Sequence, residues 1–190
     1  MLSGGSTVPL SVNVSKVLKG MGSSLHISLT DERPGPIGHA DSNWSQLQNA
    51  GFAYQTHKYY EVLQNQSVEQ EVASYDAWLG HMLATTDYKI GFCGIGSDGH
   101  TAGILPGDSL KFSLANAGFW DDGERQRISI TPEAIARLDE VVVYLTGEAK
   151  RPLIDKLQTE QGSKDFPAQY LKNAGQLTVY NDWIGEPSAS

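Results

Sequence analysis

Short apolar runs of strand length alternate along the chain with longer stretches whose apolar residues recur at helical spacing. Residues 24–30 (SLHISLT) are the first run with strand character, and they lead into an acidic turn at Asp31, Glu32 and Arg33. Between 67 and 83, Val68, Val72, Tyr75, Leu79 and Met82 fall near one face, which predicts an amphipathic helix. Residues 89–95 (KIGFCGI) read as the next strand. They feed Gly96, Ser97, Asp98, Gly99, His100 and Thr101, a turn expected to open a short helix. Two further strands are predicted at 127–131 (RISIT) and 140–146 (EVVVYLT), separated by a helix that Pro132 can start, because proline suits a first helical turn. A helix from 147 or 148 to about 158 and a last strand at 177–180 (LTVY) complete the pattern. Strands alternating with helices in this way predict an α/β fold with a mainly parallel sheet.

A chain of 190 residues holds one hydrophobic core, so a single domain is expected over 1–185, with a tail at 186–190. Acidic residues outnumber basic ones, 22 to 14, for a net charge of -8 without any basic stripe. That balance argues against nucleic acid or an anionic membrane as the main partner, and an anionic ligand would have to be captured by a few local cations. No apolar run approaches the roughly 20 residues a membrane span needs, and no signal pattern opens the chain, so a cytoplasmic location is expected. The single cysteine, Cys93, leaves no internal disulfide framework and no CxxC metal site, and its apolar setting reads as a buried thiol. No spacing of His, Asp or Glu suggests a metal site. Trp44, Trp78, Trp120 and Trp183 read as packing or rim aromatics, His26 and His81 as core or surface residues, and His57 carries no signal.

Candidate chemistry gathers at a few turns. The opening Met1, Leu2, Ser3, Gly4, Gly5, Ser6 and Thr7 has the form of a strand end turning into a phosphate loop, although nothing precedes it to supply the strand. Gly4 and Gly5 would let backbone N–H groups approach a phosphate, and Ser6 and Thr7 add hydroxyls at the start of a helix whose dipole favours an anion. A plain strand-to-helix turn has the same composition. In 94–106 (GIGSDGHTAGILP), glycines flanking Asp98 and His100 hold a tight turn at the carboxyl end of a strand, where open α/β sheets place ligands. A neutral His100 imidazole there could take a proton from water, with Asp98 orienting the ring. In isolation, Asp98 as a helix cap and His100 as a surface histidine would serve as well. Their company counts against that: Asp31, Glu32 and Arg33 after one strand, Arg127 opening another and Lys150 just beyond a third could converge on one sheet edge, and a converging arginine, lysine and hydroxyl loop is what phosphate recognition needs. Singly, Arg33 and Lys150 also suit a solvated surface, and Asp31 and Glu32 a turn or cap. His39, between these blocks, is a further candidate to touch substrate.

The chain resembles the 6-phosphogluconolactonases, within the wider family that also holds glucosamine-6-phosphate deaminase. The matching blocks are LSGGST at 2–7, TDER at 30–33 with DSN at 41–43, GIGSDGHTAGILP, RISIT, LTGEAK at 145–150 and FPAQYL at 166–171, in the family's order. DGHTA is the specific one. The resemblance implies a single-domain, modified Rossmann-like α/β fold, here with its N-terminal helix and first strand missing or shortened. It implies hydrolysis of 6-phospho-D-glucono-1,5-lactone to 6-phospho-D-gluconate, a step of the oxidative pentose phosphate pathway, with no metal and no organic cofactor. Carried onto this chain, it makes His100 the general base with Asp98 in support and Asp31, at the deaminase base position, a participant. Gly4, Gly5, Ser6, Thr7, Arg33, Arg127 and Lys150 would hold the phosphate.

Two departures bear on the branch. The deaminases read approximately DGHIAFNEP, with a glutamate where Leu105 stands here, and they carry a tyrosine after Asp-Glu where Arg33 stands. Leucine cannot shuttle a proton, so both point to the lactonase. The alternatives are a deaminase-like enzyme and a non-catalytic sugar-phosphate-binding module. The short N-terminus and GGSTV in place of GGSTP motivate the second. They also leave open a homo-oligomer or a partner chain completing the N-terminal strand.

Overall fold

The computed structural model describes residues 1–18, 24–52, 58–159 and 164–183. The tail expected at 186–190 and His57 lie outside the described residues. The strands are β1 (His26–Ile27), β2 (Asp31–Glu32), β3 (Lys58–Tyr59), β4 (Ile90–Cys93), β5 (Leu110–Ser113), β6 (Ala117–Asp121), β7 (Gln126–Ile130), β8 (Glu140–Leu145) and β9 (Leu177–Asn181). The α-helices are α1 (Val8–Leu18), α2 (Asn43–Asn49), α3 (Val68–Thr85), α4 (Pro132–Ile135) and α5 (Arg151–Thr159).

Met1 and Leu2 decide how the parallel strands join. β1 pairs with β3, β4 with β8 and β8 with β9, all in parallel. Leu2 bridges Leu29 in parallel, donating to Ser28 O at 2.9 Å while its carbonyl accepts from Thr30 N at 2.7 Å. On the other side Met1 O accepts from Phe92 N at 2.9 Å. Met1 and Leu2 therefore occupy the slot between β1 and β4. Counted in chain order, the parallel strands then run 3-2-1-4-5-6, the doubly wound order whose switch point lies between the first strand and the fourth.

The remaining strands form an antiparallel sheet of order β2-β7-β6-β5. This corrects the acidic turn expected at Asp31 and Glu32: they pair with Ser129 and Ile128 as a strand, because the chain leaving β1 steps directly from one sheet to the other. The helix expected after His100 is also absent. Thr101 instead bridges Ile95 and Ile104, and Ala102 sits at φ 48, a left-handed backbone that a right-handed helix cannot run through. The β5–β6 hairpin has no counterpart in the sequence pattern, since β5 is an edge strand with little burial on either face.

Local signals set the helix ends. Ser67 and Gln70 form a reciprocal capping box on α3, which buries Val72, Tyr75, Leu79 and Leu83. Thr131 caps α4, with Pro132 in its first turn. α3 packs against β6, and the Tyr75 hydroxyl donates to Leu29 O, tying the antiparallel layer to the parallel one. Cys93 is fully buried, and burial pushes its thiol up to about 12. Along β8, Val141, Val143 and Leu145 point into the core while Tyr144 faces solvent, the period of two expected of a strand.

Candidate active site

The cleft lies at the switch point, beyond the carboxyl ends of the Met1–Leu2 pair, β4 and β8. It has a volume of about 200 Å³ and is lined by the loop 3–6, by Gly94, Ile95 and Gly96, by His100 and Ala102, and by Asp31, Arg33, Asn43, Arg127 and Lys150.

One wall is the loop that runs into α1. Ser3 and Gly4, with Gly5 and Ser6 of the 3-10 turn Gly5–Thr7, face the cleft just ahead of α1, so backbone N–H groups and a helix N-terminus are presented together. Thr7 is turned inward. Its hydroxyl donates to Ser3 O at 2.7 Å and Gly4 O at 3.0 Å, so it braces the loop. Gly4 leaves no room for a Cβ, which would land 1.9 Å from Asn43 Oδ1.

Asn43 organises the second wall. It donates to Asp31 O at 2.9 Å and to Asp31 Oδ2 at 3.1 Å, and its Oδ1 accepts from Arg33 Nη1 at 2.7 Å. Arg33 Nη1 also donates to Asp41 O at 2.6 Å, and among the described residues its Nε and Nη2 have no hydrogen-bond partner. Glu32 is a structural anchor: its carboxylate accepts from the backbone N–H of Arg33, Asn43 and Trp44 and from the Ser42 hydroxyl. Burial pushes its carboxyl above the usual range, against the pull of these four hydrogen bonds. His39 does not line the cleft, and its Nε2 lies 3.0 Å from Arg33 O. Arg127 reaches in from β7 with Nε 3.8 Å from Asp31 Oδ2, and burial lowers its guanidinium's pKa while Asp31 raises it.

The third wall is the turn after β4. Gly99 N donates to Gly96 O and Gly96 N to His100 O, each at 2.9 Å, closing a loop that projects the imidazole. His100 Nδ1 is 2.6 Å from Asp98 Oδ1, which also accepts from the His100 backbone N–H. Because a carboxylate only accepts, Nδ1 carries the hydrogen. Among the described residues nothing hydrogen-bonds Nε2. Partial burial pushes the Asp98 carboxyl up, but hydrogen bonds from Arg125 and His100 outweigh it and hold it at about 2. Lys150, in the 3-10 turn after β8, donates to Ile95 O at 3.0 Å and lines the same cleft.

The fold thus brings Gly4, Gly5, Ser6, Asp31, Arg33, His100, Arg127 and Lys150 into one cleft, with Asp98 behind His100 and Thr7 behind the loop. Sequence reasoning passed over Ser3, Asn43 and Arg125. Asn43 sits inside the DSN block, yet its bonds to Asp31 and Arg33 exist only once β2 and α2 meet. Among the described residues no group of three His, Cys, Asp or Glu side chains converges as a metal donor set, and no helix is long and apolar enough to cross a membrane.

Known proteins share the family pattern and the fold of this chain. The human GDH/6PGL endoplasmic bifunctional protein is 26% identical over 178 residues, covering 83% of this chain and 22% of that one. A 6-phosphogluconolactonase of Caulobacter vibrioides is 28% identical over 140 residues, covering 68% of this chain and 60% of that one. This chain therefore spans about a fifth of the bifunctional protein and less than two thirds of the bacterial one. The crystal structure of 6-phosphogluconolactonase from Thermotoga maritima superposes with a TM-score of 0.75 at 19% identity, over 95% of this chain and 83% of that one, and shows the same fold. Residues 1–180 match the model of the glucosamine-6-phosphate isomerases/6-phosphogluconolactonase family, and the chain belongs to that family.

Proposed function

We propose that this chain hydrolyses 6-phospho-D-glucono-1,5-lactone to 6-phospho-D-gluconate, with His100 as general base. The observation that carries the reading is an imidazole pinned through Nδ1 to Asp98 at 2.6 Å, with no partner on Nε2 among the described residues, in a cleft that also holds Arg33, Arg127 and Lys150. Nε2 takes a proton from water, and the hydroxide adds to the lactone carbonyl carbon to give a tetrahedral oxyanion. The oxyanion collapses with cleavage of the bond to the ring oxygen. The imidazolium then returns its proton to that oxygen, and the open-chain acid leaves. A preorganised donor to the oxyanion is worth about 3 kcal/mol in such sites. The cations that line the cleft, Arg33, Arg127 and Lys150, are the candidate donors. The loop 4–6 and the three cations suit the phosphate, which fixes the ring within reach of the water.

Leu105 supports the lactonase branch. It stands where the deaminases carry a glutamate, and it is 2% exposed in the core, so no carboxyl group at that position can shuttle a proton. Initial rates on freshly generated lactone, corrected for spontaneous opening, test the reading, with ammonia release from glucosamine 6-phosphate run in parallel. The expected result is accelerated lactone opening that His100→Ala abolishes in a folded protein, with no ammonia. Ammonia release would move the chain to the other branch, and phosphosugar binding without turnover would make it a binding module.

A further inference from the structure

The Asp98–His100 pair is gripped from outside the cleft. Arg125, in the turn between β6 and β7, donates from Nη1 to Asp98 Oδ2 at 2.7 Å, and the same nitrogen lies 3.5 Å from His100 Nδ1. Its Nε and Nη2 donate to Asp122 Oδ2 at 2.9 and 2.7 Å. Asp122 Oδ1 in turn accepts from the backbone N–H of Glu124 at 3.0 Å and of Arg125 at 2.7 Å. The guanidinium is therefore fixed on both edges by a turn that organises itself, and it does not line the cleft.

We propose that Arg125 is a positioning residue that sets the protonation balance of His100, a role that rests on the proposed use of His100 as base. Two effects combine. By holding Oδ2, Arg125 keeps the Asp98 carboxylate turned so that Oδ1 stays on the Nδ1–H, which leaves Nε2 to act as the base. By standing beside Nδ1 as a fixed cation, and by sharing the carboxylate's charge, it also opposes formation of the imidazolium. A second proton can enter the ring only at Nε2, because Nδ1 already carries one, and that step creates a cation next to another cation. The other charged groups around the ring are Asp98, bonded to Nδ1, and Asp31, Arg33, Arg127 and Lys150 in the cleft. Asp122 faces the guanidinium. An ordinary surface ion pair would have no need to reach the catalytic turn from 27 residues away; this one joins the antiparallel sheet to it.

The test is Arg125→Gln, with Arg125→Lys as the charge-retaining variant. The His100 imidazole resonances, assigned by their loss in His100→Gln, are followed by NMR across the titration. The expected midpoint in Arg125→Gln is higher by about half to one pH unit, the size of one unit charge's effect at roughly 4 Å near a solvated site. Arg125→Lys returns most of that shift. In the lactonase assay the acid limb of the rate–pH profile moves up by the same amount, because the neutral ring is the active form, while KM stays within about twofold. The Arg125 side chain is 34% exposed, so both variants are expected to fold. An unmoved midpoint in Arg125→Gln overturns the proposal whatever the enzyme does. A wild-type chain that fails to accelerate lactone opening removes the functional reading and leaves the titration result standing.

Discussion

Replacing Gly96 by alanine tests the place of the His100 ring without altering the ring. Gly96 is not among the glycines with positive φ, so its backbone admits alanine. The space does not: an added Cβ would lie 2.1 Å from His100 Nδ1, 2.2 Å from Cε1 and 2.7 Å from Asp98 Oδ1. Non-bonded atoms of this kind rest ~3.5 Å apart, so a ring starting 2.1 Å away must retreat by roughly 1.4 Å. That retreat breaks the hydrogen bond to Asp98. A misplacement of about 1 Å can cost on the order of 100-fold in rate, equivalent to about 2.7 kcal/mol of transition-state stabilisation. The ring is 32% exposed and can swing outward, so the stability cost should stay below about 1 kcal/mol, a change in Tm of no more than about 4 °C. Rates corrected for spontaneous opening, beside a thermal melt, should show kcat down about 100-fold, with KM little changed because the loop 4–6, Arg33 and Arg127 lie on the other walls. A Gly96→Ala protein that melts like the wild type and keeps kcat within twofold would refute the claim that the imidazole works from this position.

Two more outcomes follow from buried groups. Thr7→Val removes the hydroxyl that braces Ser3 O and Gly4 O, and loss of such buried hydrogen bonds typically costs about 1–3 kcal/mol. The melt should fall by roughly 3–10 °C, and KM should rise several-fold with kcat retained, because the phosphate loop is loosened while His100 is untouched; an unchanged KM would separate the loop from substrate binding. The Cys93 thiol, fully buried and with its pKa raised to about 12, should resist alkylation at neutral pH and react only on unfolding. Rapid labelling of the native protein would contradict the core described here.

How far the sequence speaks depends on whether a signal is local. The face of α3, its Ser67 cap and the alternation along β8 are legible because each is set by neighbours within a few residues. The candidate site residues were nameable because strand ends carry them and an α/β sheet gathers strand ends at one edge. What stayed hidden was tertiary. Asp31 and Glu32 look like an acidic turn until β7 is placed beside them. β5 lacks an inward and outward alternation because it is an edge strand. Arg125 lies in a polar hairpin turn that marks any surface loop, and only contact with Asp98 distinguishes it. Its position in GGST places Thr7 among the phosphate ligands, but position does not encode the direction of its side chain, which turns to Ser3 O and Gly4 O.

The charge of the chain and the charge of its cleft have opposite signs, and the difference bears on turnover. The chain carries a net charge of -8, whereas among the described residues that line the cleft Arg33, Arg127 and Lys150 face one carboxylate, Asp31. Arg125 adds little to that excess, since Asp98 and Asp122 already neutralise it. A phosphate monoester carries about -1.5 to -2 at neutral pH, so its binding uses up the positive excess of the cleft. At physiological ionic strength, screening over about 8 Å weakens the repulsion of the distant acidic surface more than the short contacts inside the cleft. In the proposed reaction the ring end of the substrate enters uncharged and leaves as a carboxylate. That new charge forms where no unmatched cation remains, within a cleft that also holds Asp31. The arrangement that accepts the neutral lactone is therefore poorly matched to the acid it produces, which favours product release over product retention.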